Sequence, residues 1–104
     1  MALKNWTINS ISATTETDLV QGGASAEVAV VGITICNNGA GAASVDMIIT
    51  NSSDTQQAKI LSGLSVAQYD TYLMDTKIML SNQEKIRVES DIAAVSFSAS
   101  GDES

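Results

Sequence analysis

The 104-residue sequence predicts an all-β fold: an antiparallel two-sheet β-sandwich, jelly-roll or immunoglobulin-like, built from eight or nine short strands. Three observations carry this expectation. Short segments rich in Val, Ile, Thr and Tyr recur along the chain. Gly, Asn, Ser and Asp clusters separate them at about the 8 to 12 residue spacing of all-β domains. Within most segments apolar and polar residues alternate with the period of two of a half-buried strand.

The expected strands lie near 5–11, 16–20, 27–36, 44–50, 57–62, 67–73, 76–80, 85–90 and 93–100. In the first, Trp6 and Ile8 oppose Thr7 and Asn9. After the turn signal QGGASA (21–26), the stretch EVAVVGITICNN is apolar at odd positions (Ala29, Val31, Ile33, Ile35) and at even ones (Val28, Val30, Cys36). A strand of that kind needs cover on both faces, one from the core and one from a neighbouring subunit or a loop. Val28 and Val30 are therefore candidate interface residues.

Beyond the turn NNGAGAAS (37–44), Val45, Met47 and Ile49 oppose Asp46, Ile48 and Thr50. A further turn, TNSSDTQ (50–56), leads to the segment 57–62. In 67–73 the alternation is less clean, with apolar residues on both sides, and Tyr69 and Tyr72 join the candidate interface residues. A helix over AQYDTYLMDTKIML is the alternative there, although Met74 and Ile78 would fall outside its apolar face. Past SNQE (81–84), Ile86 and Val88 oppose Lys85, Arg87 and Glu89, and Val95, Phe97 and Ala99 oppose Ser96, Ser98 and Ser100. Length argues for a single domain over 1–104, with 101–104 (GDES) a frayed acidic tail.

Charge and chemistry narrow the function. Twelve carboxylates face Lys4, Lys59, Lys77, Lys85 and Arg87, a formal charge of −7. Nucleic-acid binding, which rests on neutralising phosphates, is not expected of such a chain. No run reaches the roughly 18 apolar residues of a membrane-spanning helix, and the start MALKNWTINS lacks the apolar core of a secretory signal. A lone cysteine cannot close an intramolecular disulfide.

With no histidine in the sequence, the Ser-His and Cys-His nucleophile systems and the usual zinc sites are ruled out. Cys36 has no Lys or Arg within twenty residues on either side, so it is expected to be a buried packing residue and not a reactive thiolate. Glu84, Glu89 and Asp91 sit beside Lys85 and Arg87 as solvated strand charges. Asp46, Asp54, Asp70 and Asp75 are too scattered for a sequence-local calcium loop. The G-x-G of NNGAGA lacks the third glycine and the helix of a phosphate loop. No enzyme activity, cofactor or metal is expected.

Taken in order, the pieces MALKNWTI, VAVVGITICNN, VDMIITNSSD, TKIMLSNQEKIRVESD and AVSFSAS resemble a group of small phage virion accessory proteins of about one hundred residues. Where many of these carry Gly-Asp in the turn before the I-x-V strand, this chain has Gln83 and Glu84. The resemblance implies a capsid decoration or cement protein that stabilises the shell noncovalently. It implies the major capsid protein or another virion protein as partner, a small homo-oligomer with the trimer favoured, and assembly into the virion in the host cytoplasm. A tail, neck or fibre-associated virion protein is the alternative. A carbohydrate-binding module using Tyr69 and Tyr72 is a more distant one.

Overall fold

The computed structural model describes residues 2–22, 27–75, 77–81 and 83–103. Among them are nine strands and no helix: β1 (Ala2–Ile8), β2 (Thr17–Gln21), β3 (Glu27–Asn37), β4 (Ala43–Thr50), β5 (Gln56–Val66), β6 (Thr71–Met74), β7 (Ile78–Ser81), β8 (Lys85–Ser90) and β9 (Val95–Glu103). The segment open to a helical reading forms β6 and β7 instead. The β-sandwich expectation holds.

The topology separates its two versions. β4 pairs with β5, β3 with β6 and β7, β2 with β8, and β1 with β9, so the chain doubles back on itself as a two-stranded antiparallel ribbon. The ribbon then wraps, adding the pairs β9 to β3 and β8 to β4. One sheet is ordered β1-β9-β3-β6, with β7 also on β3, and the other β2-β8-β4-β5. This is a jelly roll.

Between the sheets lies one apolar core that includes Val28, Val30, Ile33, Ile35, Val45, Met47, Leu80, Ile86, Val88, Val95 and Phe97. The alternation of β4, β8 and β9 assigns their inward residues as expected, and Trp6 and Ile8 pack against the same core. Strand β3 behaves differently. Its register against β9 shifts between Val30 and Gly32, where Val31 is one residue too many for its partner strand. Such a bulge reverses which parity faces inward. Before it, Val28 and Val30 point into the core; after it, Ile33, Ile35 and Asn37 do. Much of the two-sided apolar pattern of β3 is thus one inward face whose register changes midway, with Ala29, Val31 and Cys36 left on the outer side.

The bulge depends on Gly101, the β9 partner of Val30. A Cβ there would stand 1.9 Å from the Ala29 carbonyl oxygen. Gly101 to Glu103 are not a frayed tail: they pair with β1 on one side and, at Gly101 to Glu103, with Val30 to Val28 on the other. Ser104 lies outside the described residues. Strand β5 is longer than the sequence suggests because Ser62 and Gly63, which read as its end, form a bulge that the strand passes through. Gly63 has a φ of 65° there and donates its N–H to Asp46 Oδ1 at 2.7 Å.

Candidate interaction surface

The two outer faces of the sandwich differ in chemistry. On the four-stranded sheet the outward residues of β8 are Lys85, Arg87 and Glu89. Lys85 Nζ lies 2.7 Å from Asp54 Oδ1 and 3.6 Å from Asp18 Oδ2. Arg87 Nε donates to Asp18 Oδ1 at 2.7 Å, and its Nη1 lies 2.7 Å from Glu16 Oε1 and 3.6 Å from Asp54 Oδ2. The loops before β2 and after β4 are thereby clipped over this face. Hydrogen bonding from Lys85 holds the Asp54 carboxyl below the ordinary carboxylate range, and the same contact raises the Lys85 ammonium above its ordinary value.

On the other sheet the register sets out the outward residues in rows. Leu3, Asp102, Ala29 and Met79 form one; Asn5, Ser100 and Gly32 the next; Thr7, Ser98, Thr34 and Leu73 a third; Ser96, Cys36 and Thr71 the last. The charged residues on this face are Asp102, Lys4 and Glu27 at one end and Asp75, just after β6, which lines the central depression. The middle is Ser, Thr, Gly and Asn, and around it stand Leu3 at 88%, Leu73 at 72%, Met79 at 66% and Val31 at 48% exposed. Three shallow depressions of about 410, 290 and 300 Å³ run over the same rows, floored by Ser100, Gly32, Thr34 and Ser98.

The sequence-predicted interface residues do not meet there. Val28 and Val30 are fully buried, paired with Leu80 and Ile78 of β7, so they are core residues. The bulge turns Ile33 and Ile35 to the same core, and Ala29, Val31 and Cys36 are the apolar residues of β3 left on the outer face. Tyr69 lies 72% exposed in the turn before β6, with a φ of 61°, and Tyr72 is a more covered rim residue opposite Ile35. Cys36 is half-buried on the outer face, not in the core, with Sγ 3.7 Å from Asn38 Oδ1.

Sequence reasoning missed Leu3, Val31, Leu73 and Met79 as surface residues. One local signal was available for Val31, since an isolated glycine inside a strand of β-branched residues marks a bulge. Among the described residues no group of three or more His, Cys, Asp or Glu side chains is placed to hold a metal ion.

No protein-family model matches the chain, and no curated protein matches it. Solved structures do. The structure of infectious bursal disease virus, Gx strain, aligns with a TM-score of 0.51 at 11% identity, covering 96% of this chain and 33% of that one. The likeness is one of fold. A T13 viral particle of the same virus aligns at a TM-score of 0.48 and 10% identity, over 94% of this chain and 31% of that one. This chain spans about a third of the length of the chains it matches.

Proposed function

We propose that this chain is a structural component of a virus particle, a phage capsid decoration or cement protein that binds a neighbouring virion protein through the outer face of the β1-β9-β3-β6/β7 sheet. The observation that carries the reading is that face: mostly Ser, Thr, Gly and Asn across its middle, with Asp75 at one edge, and exposing Leu3, Val31, Leu73 and Met79, on a chain of formal charge −7. Fold likeness to a viral structure and the resemblance to small phage virion proteins support it. Its partner is the major capsid protein or another virion protein, bound without covalent chemistry or catalysis, after assembly in the host cytoplasm. The resemblance adds a small homo-oligomer, three copies being the favoured number.

Four strand positions about 4.8 Å apart and roughly eight residues of about 3.3 Å each give the face some 500 Å². A partner covering it buries about 1,000 Å² in total, the lower bound for a specific interface. One such contact is weak, so the role requires many copies or paired ones.

Quantitative mass spectrometry of purified particles tests this reading. On the order of hundreds of copies per particle, as expected for a subunit repeated over a symmetric shell, support a decoration protein. A handful of copies labelled at the tail would transfer the reading to a tail, neck or fibre component. Leu73→Asp should abolish rebinding to stripped particles while leaving the circular dichroism spectrum unchanged.

A further inference from the structure

A sheet edge exposes unpaired N–H and C=O groups, and natural proteins protect such edges with bulges, charges or short strands. Three stretches of edge in this jelly roll carry such devices. β2 holds an extra residue, Leu19, between Asp18 and Val20. β5 is displaced against β4 at three places and bears Lys59. β6 and β7 are four residues each, set end to end along β3. β1 is different. Its seven residues pair with β9 in unbroken register, contain no proline, and carry one charge, Lys4, which lies 3.4 Å from Glu103. Among the described residues β1 pairs with β9 alone.

Nor does the connection to β2 cover this edge. Ile11 N–H donates to Val95 O, Ser10 Oγ accepts from Ala94 N–H, and Thr14 N–H donates to Ser90 O, so the chain leaves β1 beyond Ile8 and runs under the β8–β9 turn.

We propose that the free edge of β1 takes β1 of a second copy, antiparallel and centred on Asn5. In that register Leu3 faces Thr7, Lys4 faces Trp6, and Asn5 faces its own counterpart. Lys4 is kept from the second Lys4, which a register centred one residue earlier would place directly opposite it at a cost. The ammonium of Lys4 instead meets the indole of Trp6, a favourable cation and aromatic pair. Roughly six to eight backbone hydrogen bonds join the strands, and the two five-stranded sheets become one.

Because residues facing each other across a ladder share a side, both outer faces, with Leu3, Leu73 and Met79, then lie on the same side. The pairing itself does not depend on the virion reading; only its use does. Two joined faces would present about 1,000 Å² to one partner surface, which brings the contact to standard size. The arrangement is a twofold pair in place of the trimer that the resemblance implies.

Sedimentation equilibrium of the purified chain at high micromolar concentration tests the pairing apart from any particle. The expected mass is about 22 kDa, twice the 10.8 kDa of one chain, falling to one chain in Asn5→Lys, which sets like charges on the axis while the dichroism spectrum stays unchanged. Asn5→Cys in a Cys36→Ser background should cross-link on mild oxidation, since directly opposed strand residues lie within disulfide reach. Gln57→Cys on the β5 edge, in the same background, should not. A monomer, a trimer, a dimer that Asn5→Lys leaves intact, or equal cross-linking of both cysteine variants overturns the proposal. Low copy number in particles would overturn the virion reading and leave the pair standing.

Discussion

Asn37 closes β3, and its side chain is the main polar fixture of the interior. It is fully buried. Its Nδ2 donates to Gly41 O at 2.8 Å, Val66 O at 3.0 Å and Ala67 O at 3.3 Å, and its Oδ1 accepts Gly39 N–H at 2.8 Å. The β3–β4 turn is thereby pinned to the end of β5, and the backbone N–H of Asn37 reaches Asp70 O at 2.9 Å in the turn that leads into β6. Two amide hydrogens shared among three carbonyls, plus one accepted bond, amount to about three hydrogen bonds.

At a net ~1 kcal/mol each, with extra cost for the carbonyls left dry, Asn37→Ala should lose about 3 kcal/mol. For a domain of this size each kcal/mol moves the melting midpoint by roughly 4 to 8 °C, so the variant should melt some 12 to 24 °C lower. Urea titration followed by the fluorescence of Trp6, which packs against the core, measures the loss. Asn37→Asp should lose more, because it aims a buried carboxylate at three carbonyl oxygens. A loss below about 1 kcal/mol for Ala, or an Asp variant as stable as the parent, would refute the reasoning.

Gly101→Ala forces a Cβ to 1.9 Å from Ala29 O and 3.0 Å from Val30 Cα, backbone atoms that move only if β3 and β9 part; thermal melts should show a loss of about 3 kcal/mol or more, at the upper end of overpacking costs. Gly41→Ala, with no atom within 4 Å of the added Cβ, should fall within about 0.5 kcal/mol of the parent. Gln83 sits at a φ of 67°, and Gln83→Gly should raise the urea midpoint by relieving up to about 1 kcal/mol of left-handed strain; a lower midpoint contradicts this.

Asp54 is held low by Lys85, so its contribution is present above the ordinary carboxylate value of about 4 and is lost as pH falls through the lower folded value. Lys85, held high, contributes fully below its ordinary value and loses that contribution only as pH rises through the higher folded one. Asp54→Asn should therefore be less stable than the parent at pH 6 and close to it well below pH 4. An equal deficit at both pH values sinks the ion-pair account.

What the sequence disclosed follows from how strands encode their faces. β8 and β9 alternate without interruption, so Ile86, Val88, Val95, Phe97 and Ala99 could be assigned to the core from spacing alone. β3 could not. One extra residue at Val31 gives a pattern that looks identical to a strand buried on both sides, and Gly32 was the only local mark of the difference. The turn before β8 was not legible either: Gln83 occupies a left-handed conformation suited to glycine, and Glu84 Oε1 accepts Ser81 N–H at 2.9 Å.

The tail misled for a different reason. Gly101 to Glu103 are polar by composition, yet partners on both sides, β1 and β3, hold them in the ladder. The candidate surface was harder still, because Leu3, Leu73 and Met79 come from three strands and only the register sets them on one face.

A reconstruction of the intact particle at side-chain resolution tests the central claim most directly. The account predicts this chain in many copies on the head, with Leu3, Leu73 and Met79 covered by a neighbouring protein and the Lys85–Asp54 face turned to solvent. A particle without the chain, or one in which the ion-pair face is covered while Leu73 and Met79 remain in solvent, would contradict it.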